Sequence, residues 1–156
     1  MARVEVGKKV PAFTAEATGG KAVSSKELRG SPYVLYFYPK DATPGCTLEG
    51  QGFRDLYGSF ERLGVRVFGV SRDSLASHEK FKAKQGFPFE LISDPDERLC
   101  QLFDVIREKN MYGRRVLGIE RSTFLIDAEG VLRQEWRKVK VDGHPAAVLE
   151  AARAIT

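Results

Sequence analysis

Six consecutive apolar or aromatic residues, Tyr33-Val34-Leu35-Tyr36-Phe37-Tyr38, run without a charge up to Pro39. A β-strand sends alternate side chains to opposite faces, so a run that is apolar at every position must be covered on both. That requirement predicts a central strand in an α/β protein with helices packed on each side of its sheet. Proline cannot extend the ladder, so the strand ends there.

The flanking sequence supplies the other layers. Thr14 to Val23, with Thr18-Gly19-Gly20 in its middle, reads as a β-hairpin, and Ser24 to Leu28 as a capped helical turn ended by Gly30. From Thr47 to Leu63 the residues Leu48, Phe53, Leu56, Phe60 and Leu63 recur at helical steps, and Gly64 ends the helix. Gly50 and Gly52 weaken that helix locally, by about 1 kcal/mol each relative to alanine. Val65 to Val70 is the next strand. Ser74 caps a helix that runs to Gln85 and closes at Gly86, with a short strand at Phe89 to Ile92 beyond it. Asp94-Pro95-Asp96 opens a short helix through Phe103, and Ile106 to Glu120 reads as irregular. Thr123 to Ile126 and Val131 to Val139 form a hairpin across Asp127-Ala128-Glu129-Gly130, and Pro145 to Ile155 closes the chain as a helix. This order implies a mixed sheet with right-handed crossovers and chemistry at the carboxyl ends of its strands. At 156 residues the chain is the size of one domain, spanning 1–156.

Composition excludes several function classes. Two cysteines make no disulfide scaffold, no Cys/His set has zinc-finger spacing, and no apolar run nears the ~20 residues that span a bilayer. Met1 to Val6 carries no leader-like apolar stretch, so the expected setting is the reducing cytoplasm. The net charge is +4, and the segment from Ile106 to Lys140, with nine basic and five acidic residues, accounts for it. Its basic residues form no stripe interleaved with aromatics, so a solvated positive face is expected rather than a nucleic-acid surface.

One junction carries nucleophilic character. After Tyr38 come Pro39-Lys40-Asp41-Ala42-Thr43-Pro44-Gly45, and Cys46 then falls in the first turn of a helix. The free N–H groups and positive dipole end of that turn favour an anion, and a thiolate is one. Thr43, three residues earlier, can present a hydroxyl to the same place. The alternative is a cysteine that merely packs. A Cys-His hydrolase would need an imidazole base, but His78 reads as a residue of a surface helix and His144 as a cap. Thioredoxin-type exchange would need Cys-x-x-Cys, and Glu49 stands at that position. What remains is a lone thiolate attacking an electrophile such as a peroxide oxygen.

The span Pro39-x-x-x-Thr43-x-x-Cys46 resembles the Pro-x-x-x-Thr/Ser-x-x-Cys signature of peroxiredoxins. The wider Tyr36-Phe37-Tyr38-Pro39-Lys40-Asp41-x-Thr43-Pro44-Gly45-Cys46-Thr47-x-Glu49 is similar to the PrxQ branch, also called bacterioferritin comigratory protein. So are Gly69-Val70-Ser71-x-Asp73-Ser74, Leu91-Ile92-Ser93-Asp94 and Arg121-Ser122-Thr123-Phe124-Leu125-Ile126-Asp127. The resemblance implies a thioredoxin-like fold with an N-terminal hairpin, and a thiol peroxidase that needs no metal or organic cofactor. It implies that Cys46 is the peroxidatic cysteine, oxidised to a sulfenic acid, and that Arg121 hydrogen-bonds the thiolate and the reacting oxygens. Thr43 would hold the peroxide, Pro39 would wall the pocket, and Glu49 would direct Arg121. Hydrogen peroxide and organic hydroperoxides are the implied substrates and thioredoxin, or another external thiol, the implied reductant. A monomer is the expected state, with a dimer as the alternative.

This chain departs from its relatives where they resolve the sulfenic acid. The position five residues after Cys46 is Gln51, and the matching site in the next helix is Lys82. Only Cys100 remains, on the edge of a helical face formed by Leu99, Leu102 and Phe103. Packing is its simpler role, and a one-cysteine cycle with an external thiol is therefore expected. The segment from Ile106 to Glu120, with Arg114-Arg115, is expected to line one side of the pocket or to meet the reductant, or else to be an ordinary loop. The competing functions are a thiol transferase and a client-binding module without peroxidase activity.

Overall fold

The computed structural model describes residues 3–156, apart from the side chain of Met111. Met1 and Ala2, part of the terminus read above for a leader, lie outside the described residues. Strand β3 (Tyr33–Phe37) sits within a seven-stranded sheet of order β2-β1-β5-β4-β3-β8-β9. It pairs in parallel with β4 (Arg66–Ser71) and antiparallel with β8 (Ser122–Ile126), Tyr36 facing Gly69 on one side and Thr123 on the other. β4 pairs in parallel with β5 (Glu90–Ser93). The hairpin of β1 (Thr14–Ala17) and β2 (Lys21–Ser24) is added antiparallel to β5, and β9 (Leu132–Trp136) completes the other edge.

Every residue of β3 is buried, because its alternating side chains feed two separate cores. Leu35 and Phe37 join Phe13, Phe103 and Phe124 under α1 (Ser25–Leu28) and α4 (Arg98–Leu102). Val34 and Tyr36 join Phe53, Phe60 and Phe81 under α2 (Pro44–Arg62), α3 (Leu75–Gln85) and α5 (His144–Ile155). Among the described residues, no helix is long and apolar enough to cross a membrane.

Local signals set most boundaries. The Ser74 hydroxyl caps α3 by accepting the Ser77 N–H, and Gly86 ends it at φ +66°. The α1 turn begins at Ser24 without a side-chain cap, while Ser25 Oγ accepts the Phe13 N–H across the hairpin. Asp94 caps α4 from a distance, its two carboxylate oxygens accepting the N–H groups of Leu99 and Cys100. Helix α2 starts at Pro44, three residues before the expected Thr47, because proline is well suited to the first helical position.

The segment expected to be irregular is instead a hairpin of β6 (Ile106–Met111) and β7 (Arg114–Ile119), forming a second two-stranded sheet. It turns at Tyr112-Gly113, both at positive φ, and Tyr112 is fully exposed. Its alternation is masked by polar residues on both faces, since the ribbon projects from the body and buries little. Arg72 holds it, donating to the Leu117 carbonyl while pairing with Glu97.

The helix-weakening glycines have a packing reason. A Cβ on Gly50 would fall on the Phe87 ring, and one on Gly52 would come 2.7 Å from Pro145 of α5. Phe87 cannot yield, being stacked on Phe89 and set edge-on to Phe81. Gly50→Ala is therefore expected to lower stability by about 1–3 kcal/mol despite the better helix propensity of alanine. A urea midpoint equal to or above that of the wild type would contradict this packing.

Candidate active site

The site forms where β3 stops and α2 begins. Tyr38 still donates its backbone N–H to the Val70 carbonyl, and half-buried Pro39 then turns the chain away from the sheet. The loop passes Ala42 at φ +62° and enters α2 with Thr43 as N-cap, Pro44 next and Cys46 in the first turn. Cys46 is 2% exposed and belongs to the core beneath α2. Cys46 thus lies at the positive end of the α2 dipole, in the turn whose N–H groups have no helical partner.

Arg121 arrives from the neighbouring strand, just before β8, whose first residue Ser122 faces Phe37 at the end of β3. Its Nη1 donates to Glu49 Oε1 at 2.6 Å, and its Nη2 donates to Cys46 Sγ at 3.5 Å. Gly45 leaves room for this approach, since a Cβ there would lie 3.1 Å from Nη2. One guanidinium thus joins a carboxylate and a thiol placed one helical turn apart, with the planar fork fixing the direction of both contacts. The sequence expectations for Cys46, Glu49 and Arg121 converge in space. Thr43 differs in detail: its hydroxyl donates to the Lys40 carbonyl at 2.8 Å and makes no hydrogen bond to Cys46 among the described residues.

Glu49 is fully buried, and its Oε2 has no hydrogen-bond partner among the described residues. Burial pushes its carboxyl up to about 7, against the opposing pull of Arg121. The Tyr36 hydroxyl is likewise buried without a partner among the described residues, and burial, then the charge of Glu49, raises it well above the ordinary phenol range. Lys109 of β6 donates to the Ile119 carbonyl, and its ammonium is lowered by burial and then by Arg121. The β6–β7 hairpin therefore brings a second cation toward the site.

Both histidines are buried, His78 contrary to its expected place on a surface helix. His78 places Nδ1 2.7 Å from Asp41 Oδ2 and Nε2 2.9 Å from the Ile92 carbonyl. It lies three residues before Phe81, the buried residue of α3, and that spacing is the signal that identifies its face. His144 does start α5, but its ring packs edge-on to Phe53 and Trp136, with Nε2 2.8 Å from Thr123 Oγ1. Burial, then the charge of Arg121, lowers it to about 4. Neither imidazole makes a hydrogen bond to Cys46 among the described residues. Asp41, Asp73 and His78 could between them offer three ligand atoms to a cation. Each of those side chains is already engaged in hydrogen bonds within the protein.

Cys100 sits in the opposite core, with the sheet between it and Cys46. Burial, then the Asp94 carboxylate, pushes its thiol far above the ordinary range. The positions matching the resolving sites of relatives are occupied by polar ties: Gln51 Nε2 donates to Gln85 Oε1 at 2.9 Å, and Lys82 pairs with Glu90.

A buried carboxyl raised to about 7 has a consequence for stability. Between the unfolded carboxylate range, near 4.5, and 7 the folded protein keeps a proton that the unfolded chain has released. Stability from Glu49 is complete below that window and is lost as pH rises through it. Glu49→Gln keeps an acceptor for Arg121 and removes the titration. The stability of wild type relative to this variant should fall by on the order of 1–3 kcal/mol between pH 4.5 and 8. A difference that is flat over this range would contradict the assignment.

The model of the AhpC/TSA family matches residues 6–135. Peroxiredoxin Bcp of Xanthomonas campestris pv. campestris is 58% identical over 137 residues, covering 88% of this chain and 86% of that protein. A structure of the X. campestris bacterioferritin comigratory protein, solved to give insight into its alkyl peroxide reduction activity, is 52% identical with a TM-score of 0.89. It matches over 99% of this chain and 98% of that one. A cysteine-to-serine mutant of Xylella fastidiosa PrxQ is 44% identical, with a TM-score of 0.92 over the same shares. The fold is accordingly thioredoxin-like, of the peroxiredoxin type, and the sequence match spans the Cys46 turn, Glu49 and Arg121. The chain belongs to the AhpC/TSA family, as a peroxiredoxin of the Bcp (PrxQ) type, a thiol-dependent peroxidase.

Proposed function

We propose that Cys46 is the peroxidatic cysteine of this enzyme and that it works in a one-cysteine cycle. The observation that carries this reading is the Arg121 guanidinium, bonded at once to Cys46 Sγ and to Glu49. The Cys46 thiolate attacks one oxygen of a hydroperoxide. The O–O bond breaks, and the second oxygen leaves with a proton as water or an alcohol, so that Cys46 becomes a sulfenic acid. Negative charge grows on the leaving oxygen, and Arg121 is the fixed donor beside it. Thr43 bounds the pocket and contacts the peroxide, Pro39 limits water, and Glu49 is the positioning residue for Arg121.

An external thiol then attacks the sulfenic sulfur and releases water, and a second thiol displaces Cys46 from the mixed disulfide. Thioredoxin or a smaller thiol fills this role. The burial of Cys100 behind the sheet supports external reduction over an internal disulfide, whose α-carbons would have to come within about 7 Å. Both cysteines are unpaired, in keeping with a reducing, cytoplasmic setting. One continuous sheet, from the N-terminal hairpin to β9, supports a single domain.

One equivalent of hydroperoxide should react rapidly with reduced wild type and with Cys100→Ser, each gaining about 16 Da as the sulfenic acid. Cys46→Ser should not react. A loss of about 2 Da in wild type, absent in Cys100→Ser, would assign Cys100 as the resolving thiol and end the one-cysteine reading. A Cys46→Ser variant that consumed peroxide at the wild-type rate would end the assignment of Cys46.

A further inference from the structure

The loop that delivers Cys46 is held from the α3 side by a buried pair that the chemistry at Arg121 does not use. Asp41 is five residues before Cys46. Its Oδ1 accepts the Tyr38 hydroxyl at 2.6 Å, and its Oδ2 accepts the Ser77 hydroxyl at 2.8 Å and lies 2.7 Å from His78 Nδ1. Its backbone N–H donates to Asp73 Oδ2 at 3.0 Å. The His78 side chain is wholly buried and that of Asp41 only 4% exposed.

The proton count follows from the partners. The Ile92 carbonyl can only accept, so Nε2 of His78 must carry a hydrogen. Asp41 Oδ2 lies 2.7 Å from Nδ1, a separation that two facing lone pairs would not hold, so a proton lies there as well. Burial works against the Asp41 carboxylate, but hydrogen bonds from His78, Tyr38 and Ser77 keep it below its ordinary range. The pair therefore holds two protons, one on Nε2 and one between Nδ1 and Asp41 Oδ2.

We propose that Asp41 and His78 are positioning residues for Cys46: a proton-sharing pair that holds the Pro39–Thr43 loop, and through it the first turn of α2, in reactive register. The next residue, Ala42, stands at φ +62°, a left-handed conformation that residues with a side chain seldom adopt. Anchored on its Asp41 side and continued into the α2 cap on the other, it cannot relax. The anchors come from the ends of three adjacent strands and from α3: Tyr38 after β3, Asp73 after β4, Ile92 in β5, and Ser77 with His78 in α3. Releasing Asp41 frees Ala42 to relax and shifts Thr43 and Cys46 together. A misplacement of even about 1 Å costs a prealigned nucleophile much of its rate.

This proposal rests on the peroxidatic reading of Cys46, and peroxide consumption by wild type is the control that separates the two. If wild type does not react, that reading fails; if it reacts and the variants match it, this proposal fails. The experiment combines proton NMR of the reduced protein, with its histidines labelled at the ring nitrogens, and the second-order rate of the peroxide reaction. Wild type should show two slowly exchanging His78 ring N–H protons, one far downfield. Asp41→Asn, whose amide can donate to Nδ1, should keep only the Nε2 proton. His78→Leu should slow the peroxide reaction roughly tenfold or more. Adding Asp41→Asn should recover part of that loss, because it removes the unpaired buried carboxylate. The proposal is overturned by a single His78 ring proton in wild type, by an unslowed His78→Leu, or by two substitutions whose effects simply multiply. Should His78→Leu not fold, the ring-proton count in wild type and Asp41→Asn still decides the shared proton, and the peroxide rate of Ser77→Ala, expected to fall, decides the anchoring.

Discussion

The site depends on where one guanidinium places its charge. Arg121 lies 75 residues after Cys46 in sequence, yet donates to its sulfur and to the buried Glu49 from adjacent nitrogens. A buried carboxylate is costly without a partner, and the cation beside a thiol is effective only if it cannot swing away. Each group answers the other's need. Glu49 fixes the direction of Arg121, and Arg121 makes the burial of Glu49 tolerable, although burial still outweighs that attraction in setting the carboxyl near 7. The lone oxygen of Glu49 and the unpartnered Tyr36 hydroxyl leave this region with less hydrogen bonding than the core elsewhere, a pattern common where a protein places chemistry above stability.

The rest of the architecture follows from a strand buried on both faces. Because β3 feeds two cores, the two cysteines fall on opposite sides of the sheet, in different surroundings. Cys46 meets a helix N-terminus and a guanidinium. Cys100 meets Asp94, whose carboxylate caps α4 and opposes any thiolate there. Identical side chains thus sit beside opposite charges, a guanidinium at one and a carboxylate at the other. The ties at Gln51 and Lys82 bind α2 to α3 and α3 to β5.

Much of this was legible from residue patterns alone. The all-apolar run at 33–38, the Ser74 and Gly86 helix limits and the Thr18-Gly19-Gly20 turn are local signals, and each appears where its chemistry puts it. The meeting of Cys46, Glu49 and Arg121 was legible through family resemblance; no local rule joins residues so distant in sequence. Two features were hidden for physical reasons. The β6–β7 ribbon buries too little to show a strand's alternation, and Asp41 and His78 read as solvated polar residues until the fold buries them against each other. His78 could have been suspected from its helical spacing to Phe81, but its partner is 37 residues away and no pattern announces it.

The claim at the centre of this account is that Arg121 acts on the breaking O–O bond as well as on the thiolate. The direct measurement is the rate of Arg121→Lys with hydroperoxide set against its rate of alkylation by iodoacetamide, which needs the thiolate but has no leaving peroxide oxygen. Lysine keeps the charge and loses the fork, so the account predicts roughly a hundredfold or greater loss with peroxide and less than about tenfold loss in alkylation. If the two rates fell in parallel, Arg121 would do no more than favour the thiolate, and the stabilisation of the leaving oxygen would have to come from elsewhere.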